Sequence, residues 1–285
     1  MNDNGQSIET PENAAYADVL RLAGAADNND IDLAQVALAL AAIDYPGQPL
    51  APYLQHLQEL QQQVMAACTD PGHVDARAQA LAQVIGGTCG YTGDTDTYDD
   101  VRNANLMHTI ERRKGLPVAL GIIYIATARA LGWECNGINF PSHFMIRLEL
   151  GQARRILDPF NRGKVMEIHD LREKLKSFGG EEAELKPEFY QPLGNRELLL
   201  RLLNNIVARA ANAQDFSRAV EIMSRMVMIA PHVAGLWHDY AMMLAQTGAY
   251  GRAIQAMQSC AEHAADPKMR AYAEDALAKL RRHLN

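Results

Sequence analysis

The stretch from Pro117 to Leu131 is the strongest constraint on how this chain folds. Its residues, PVALGIIYIATARAL, are apolar on nearly every side of a helix, and such a helix has to be buried on all of its faces. Proline suits the first turn, because its fixed φ is compatible with a helix and its missing N–H has no partner there anyway. Gly132 supplies a stop signal. The sequence therefore predicts a buried helix at the centre of the fold.

Two strand-like runs follow this helix and predict a β-hairpin. The run HFMIRLEL alternates between two faces, which is typical of a strand, and a two-residue turn at 151–152 sets the pairing with ARRILDPF. In that register Glu149 lies opposite Arg154, and His143 and Asp158 become diagonal neighbours on one face, roughly 7–8 Å apart at the backbone. We therefore expect the side chains of His143 and Asp158 to form a hydrogen bond.

Helical patterns flank this core on both sides. We predict a disordered polar tail over 1–13, a helical lead-in over 14–102 and the core itself over 103–190, with 14–190 forming one domain. Beyond it, Phe216 and Tyr250 are 34 residues apart, as are Met223 and Met257. A helix–turn–helix period of about 34 residues is that of tetratricopeptide repeats. We therefore predict helical repeats over 191–285.

Composition and charge limit the partners and the compartment. The net charge of −7 argues against a nucleic-acid or anionic-membrane surface, and no apolar run is long enough to span a bilayer. The N-terminus lacks a signal-peptide pattern. The four cysteines are far apart, which argues against a zinc cluster or a disulfide scaffold. We expect a cytoplasmic protein without metal or cofactor, whose partner is another protein.

Three motifs carry a resemblance to a known family. They are ERRKGLP at 111–117, NFPSHF at 139–144 and DPF at 158–160. With them, residues from about 28 to 285 resemble the SirB-type bacterial family. The resemblance implies an α+β fold that is mostly helical: a transglutaminase-like (papain-like) core with a small antiparallel sheet, followed by a tetratricopeptide-like tail. Ser142 stands where that family usually has glycine.

The resemblance also implies where catalytic groups would lie. Counting back from Gly132 as in active transglutaminase-like proteins puts Pro117 at the position of the nucleophilic cysteine. His143 and Asp158 match the other two members of the catalytic set. A cysteine enzyme needs its thiolate at a helix N-terminus beside an imidazolium, and proline offers no nucleophile. Cys135 is a poor substitute, because a buried strand cysteine more often packs in a core, and Cys89 would have to reach the groove from outside.

The function that this pattern favours is non-catalytic. We predict a transglutaminase-like protein acting in protein–protein interaction or regulation through its helical repeats or through a groove lined by Asn103, Glu111, Arg112 and Ser142, in which His143 and Asp158 are vestigial. Each groove residue could equally be a cap or an ion pair. The alternative is a hydrolase or acyltransferase of the transglutaminase/cysteine-peptidase type that uses the remaining pair. A third possibility is a scaffold in which only the tail binds.

Overall fold

The computed structural model describes residues 11–283, which form twelve α-helices and six short β-strands. The helices are α1 (Pro11–Ala25), α2 (Leu33–Asp44), α3 (Ala51–Ala67), α4 (Val74–Leu81), α5 (Leu106–Arg112), α6 (Pro117–Ala130), α7 (Ile168–Gly179), α8 (Asn195–Asn212), α9 (Phe216–Ile229), α10 (Ala234–Gln246), α11 (Tyr250–His263) and α12 (Pro267–Arg282). The strands are β1 (Thr92–Gly93), β2 (Lys114–Gly115), β3 (Glu134–Ile138), β4 (Met145–Leu150), β5 (Ala153–Asp158) and β6 (Lys164–Met166). The α+β class that the sequence predicts is confirmed.

The chain divides into two compact units. We call Asp32–Leu199 the core unit, and we call residues 11–31 together with 200–283 the repeat unit. This division differs from the predicted boundaries. The first helix of the predicted lead-in, α1, belongs to the repeat unit, and residues 11–13 already lie in that helix. Residues 1–10 of the predicted tail lie outside the described part of the chain.

The predicted central helix is confirmed as α6. It runs from Pro117 to Ala130, its C-cap is Leu131, and Gly132 follows with a positive φ of 72°. Side chains on all sides of the helix are buried: Val118, Ala119, Leu120, Ile122, Ile123, Tyr124, Ile125, Thr127 and Ala128. Burial on every face explains why the sequence here shows no amphipathic stripe.

The sheet beside α6 has the strand order β3-β4-β5-β6, and every neighbouring pair is antiparallel. The predicted hairpin is β4–β5: Leu150 pairs with Ala153 across the two-residue turn, and Glu149 pairs with Arg154. Both the register and the charged cross-strand pair are therefore confirmed. β1 and β2 form a separate parallel pair, of which β2 directly precedes α6.

In the repeat unit, successive helices from α9 to α12 pack on one another. Phe216 and Tyr250, which define the 34-residue period, are the first residues of α9 and α11. Trp237 is half-buried, and its indole Nε1–H donates to the carbonyl of Pro231 at 2.7 Å. The period in the sequence therefore marks equivalent helix starts.

Helix α1 joins the repeat unit by packing against α9. A Cβ on Gly24 would lie 2.0 Å from the carbonyl oxygen of Met228, so glycine is what allows the two helices to approach this closely. Ala17, Leu20 and Ala23 form the buried stripe of α1. A stripe of this kind shows that a helix packs on another element, but it does not identify the partner. The predicted grouping of 14–31 with the core therefore differs from the division into two units seen here.

Packing between α6 and the sheet depends on Gly121. A Cβ at this position would lie 2.1 Å from Cε1 of Phe144. We predict that Gly121→Ala lowers the free energy of unfolding by about 1–3 kcal/mol, because the overpacking cost exceeds the gain in helix propensity. Gly235→Ala is the matched control, since nothing lies within 4 Å of its Cβ, and it should be neutral or stabilising. Urea unfolding curves of both variants measure this, and equal stability would contradict the packing argument.

Candidate site around His143 and Asp158

His143 and Asp158 form the predicted hydrogen bond. Nε2 of His143 lies 2.8 Å from Oδ1 of Asp158, and both residues are buried. His143 precedes β4 by two residues and Asp158 ends β5. The hairpin register therefore brings together two side chains that are fifteen residues apart. Because Nε2 faces the carboxylate, Nδ1 is the ring nitrogen that remains for any other group.

Ser142 lies next to this pair on the turn before β4. It is exposed and has a positive φ of 56°, the left-handed conformation that glycine adopts at little cost. This backbone geometry is the physical reason for a glycine at this position. Serine is tolerated here at a cost of order 1 kcal/mol.

Asp158 is completely buried and accepts hydrogen bonds from several elements. The amide of Phe160 donates to it at 3.1 Å and Nδ2 of Asn161 at 2.6 Å, while Nζ of Lys174 on α7 lies 3.3 Å away. Burial raises the pKa of the Asp158 carboxyl, but the hydrogen bond and charge of His143, followed by Asn161 and Lys174, more than offset burial and leave that pKa below its ordinary value. The carboxylate is thus ionised and fully satisfied.

Phe160 packs beside the pair. Its ring makes an edge contact with the ring of His143, with centroids 6.2 Å apart. A Cβ on Gly93 would lie 2.3 Å from the same ring, and Gly93 is the strand partner of Gly115, two residues before Pro117. An aromatic side chain therefore occupies the position between His143 and the strand pair that leads into α6.

Asn103 and Arg112 meet in one buried network with Asp94. Nη1 of Arg112 donates to Oδ1 of Asn103 at 2.9 Å, and Nη2 donates to Oδ2 of Asp94 at 2.7 Å. The backbone carbonyl of Asn103 accepts the N–H of Leu116, the N-cap residue of α6, at 2.9 Å. Asn103 and Asp94 are fully buried. These contacts link Asn103 and Arg112 to the entrance of α6, and the predicted role of both residues in a binding groove stays a prediction.

Asp94 also fixes the acidic loop that follows it. Its carboxylate accepts the N–H of Thr97 at 3.0 Å and the hydroxyl of Thr97 at 2.8 Å. Burial raises the pKa of Asp94, yet the hydrogen bonds from Thr97, Arg112 and Asn103 outweigh burial and hold the pKa well below its usual range. Asp94 is not among the site residues that the sequence predicted. The signal that could have identified it is the spacing of Asp94 and Thr97, which suits a side chain that caps a turn.

Glu111 belongs to a different cluster. Its carboxylate accepts the hydroxyl of Tyr53 at 2.5 Å and lies 3.2 Å from Nδ1 of His108. Burial, followed by the hydrogen bond to Glu111, raises the pKa of the Tyr53 phenol. Adjacent residues on a helix point in different directions, which is why Glu111 and Arg112 have separate partners.

The N-terminus of α6 carries no thiol. Pro117 is the first residue of the helix, and its N-cap, Leu116, makes no side-chain capping bond. Cys135 lies on β3 and is buried, and burial raises the pKa of its thiol to about 12. Cys89 is half-buried, and burial also raises the pKa of its thiol. Neither cysteine has the lowered pKa of a nucleophile.

Two further properties concern the described residues. Within 11–283, no group of three or more His, Cys, Asp or Glu side chains is placed to hold a metal ion. Over the same range, no helix is both long and apolar enough to cross a membrane.

A buried helix packed on an antiparallel sheet, with a His–Asp pair on neighbouring strands, defines a transglutaminase-like core. Residues 51–204 match the family described as "Transglutaminase-like superfamily", and residues 206–278 match "Tetratricopeptide repeat". The second match confirms the predicted repeats.

Several curated proteins resemble this chain over most of its length. A UPF0162 protein of Xylella fastidiosa is 28% identical over 225 residues, covering 78% of this chain and 80% of the relative. A UPF0162 protein of Pseudomonas aeruginosa is 30% identical over 199 residues, which cover 70% of this chain and 72% of the relative. Protein SirB1 of Salmonella typhimurium is 23% identical over 212 residues, which cover 74% of this chain and 77% of the relative. The chain belongs to the SirB-type family of transglutaminase-like proteins.

Proposed function

We propose that this protein is a non-catalytic member of the transglutaminase-like superfamily that acts by binding other proteins. One observation carries the proposal: the His143–Asp158 pair is intact, but proline is the first residue of α6. A cysteine enzyme of this class needs a thiolate at the helix N-terminus, where the helix dipole and the imidazolium lower its pKa. Without that thiolate the imidazole has no nucleophile to activate.

The surroundings of Asp158 support a structural role for the pair. In Cys–His catalysis the acidic partner stabilises the imidazolium. Here Asp158 also accepts from the amide of Asn161 and lies beside the ammonium group of Lys174, so groups other than His143 contribute to holding the carboxylate in place. Phe160 packs beside the His143 ring. A fully satisfied buried network of this kind joins the hairpin to its neighbours.

The helical repeats supply the surface for the binding role. Met242 on α10 and Tyr272 on α12 are large apolar side chains that are 42% and 52% exposed. The ring of Tyr272 lies 5.4 Å from the ring of His238, so α10 and α12 present their side chains next to each other. Exposed apolar and aromatic side chains are typical of sites that bind proteins.

An exchange of His143 for glutamine distinguishes binding from catalysis. His143→Gln keeps a donor for Asp158 but removes acid–base chemistry. We predict that this variant restores the phenotype of a deletion strain as fully as the wild type and captures the same proteins from the native cell. Met242→Ala with Tyr272→Ala should lose captured proteins while remaining folded. A phenotype lost with His143→Gln but kept with the repeat variant would instead favour the hydrolase or acyltransferase alternative.

A further inference from the structure

A second polar cluster, His56, Tyr91 and Arg113, lies outside the site described above. Nη1 of Arg113 lies 2.5 Å from Nε2 of His56, and the same nitrogen donates to the hydroxyl of Tyr91. That hydroxyl is 2.8 Å from Nε2 of His56. The guanidinium of Arg113 also stacks over the Tyr91 ring, 4.7 Å from its centroid. The cluster joins α3, the segment before β1 and the end of α5.

The contact between arginine and histidine fixes the protonation state of His56. A guanidinium has only N–H donors and stays charged, so Nε2 of His56 has to carry the lone pair that accepts. The proton of the neutral ring then sits on Nδ1. A proton added to Nε2 would set two N–H groups against each other and place a second positive charge 2.5 Å from Arg113.

Arg113 and Glu59 are the charged groups that act on the His56 ring. Burial, and then the charge of Arg113, lower the pKa of His56, whereas Glu59 on the same helix, with Oε2 3.8 Å from Nδ1, acts in the opposite direction. Burial raises the pKa of Tyr91 and of Cys89, so both are neutral near pH 7. The net effect favours a neutral histidine at pH 7 and protonation only in acid.

Arg113 lies in the backbone between α5 and β2. It ends α5 in the left-handed conformation, with a φ of 58°, which costs energy for a residue with a side chain. Its carbonyl accepts the N–H of Thr92 at 3.0 Å, the bond that begins the parallel β1–β2 pair. Helix α6 starts four residues later, at Pro117. The side-chain contacts of Arg113 therefore hold the segment that leads into α6.

We propose that His56 and Arg113 form a proton-sensitive latch: the neutral imidazole of His56 holds Arg113 and the β1–β2 pair in place, and transfer of a proton from solvent to Nε2 releases them. The ligand of the latch is the proton that binds to Nε2 of His56. The latch operates whether or not the His143 site is catalytic, so it stands independently of the proposed function.

Amide hydrogen exchange at Thr92 tests the latch in the full chain, because that N–H bonds to Arg113. After correction for intrinsic exchange rates, the wild type should lose up to about tenfold protection between pH 7.5 and 5.5, the limit for one histidine with an ordinary released-state pKa of about 6.5. In His56→Gln the neutral side chain cannot titrate, and protection should not change with pH. His73→Gln is the matched control, since His73 is 66% exposed, and it should respond like the wild type. Unchanged protection in the wild type, or an equal loss in His56→Gln, would overturn the proposal.

A measurement on the unmodified protein keeps the test decisive if His56→Gln does not fold. The ¹⁵N shifts of the His56 ring should show a proton on Nδ1 and none on Nε2 at pH 7.5, with a titration midpoint below the ordinary histidine value of about 6.5. A proton on Nε2 at pH 7.5, or a midpoint at or above about 6.5, would exclude the latch.

Discussion

Asp158→Ala should lower the free energy of unfolding of the core unit by about 3–5 kcal/mol, the cost of removing one partner from a buried ion pair. Asp158 is completely buried and accepts from His143, from Asn161 and from the amide of Phe160, with Lys174 beside it. Alanine would leave the buried donors unpaired. Urea unfolding followed by Trp133 fluorescence measures the loss, because Trp133 is buried in the same unit.

Asp75→Ala is the matched control for this prediction. Asp75 also forms a long-range ion pair, with Arg155, but its side chain is 67% exposed. Exposed pairs contribute about 0–1 kcal/mol. If both alanine variants lowered the free energy of unfolding by the same amount, Asp158 would contribute no more than an exposed ion pair does. The structural role proposed for the His143–Asp158 pair would then be wrong.

The Asp158 carboxylate also sets a pH dependence. Its pKa in the folded chain lies below its ordinary value, so the unfolded chain binds more protons between those two pKa values, and stability rises with pH there. The contribution is complete above the ordinary pKa and is lost as pH falls through the folded value. Asp158→Asn should therefore flatten the acid side of the stability–pH curve.

Pro117→Cys should create a thiol that alkylates at pH 7 about tenfold or more faster than any of the four native cysteines. The new side chain sits in the first turn of α6, where the helix dipole and His143 would lower its pKa from about 8.5 by one or more units. Cys68, Cys135 and Cys260 are buried and Cys89 is half-buried. Losing the preset φ of proline should cost up to about 1 kcal/mol. The measurement is alkylation rate against pH.

Two controls separate the contributions to that reactivity. Ala51→Cys places a thiol in the first turn of α3, where it has a helix dipole but not the His143 ring. Pro117→Cys with His143→Gln keeps the helix and removes the imidazole. Both should alkylate more slowly than Pro117→Cys alone. If the introduced thiol had an ordinary pKa and alkylated at the same rate with and without His143, the count from Gly132 would have misplaced the nucleophile position. The enzymatic alternative would then regain support.

Local patterns in the sequence were sufficient for the central elements. The apolar composition of 117–131 predicted α6, because a helix without a polar face has to be buried. The turn at 151–152 predicted the pairing of Glu149 with Arg154, because a two-residue turn leaves only one register. That register then predicted the hydrogen bond between His143 and Asp158. The 34-residue period likewise predicted the equivalent helices α9 and α11.

Contacts between distant segments were decided only by the tertiary structure. The predicted groove treated Asn103, Glu111 and Arg112 as one surface, yet Arg112 pairs with buried Asp94 whereas Glu111 turns to Tyr53. Helix α1 packs on α9, more than 190 positions further along the chain. A periodic pattern specifies which face of an element is buried. The pattern does not specify which element packs against that face. An apolar stripe can pack against many other stripes, and a charged side chain can pair with many opposite charges, so only the three-dimensional packing decides which contacts form.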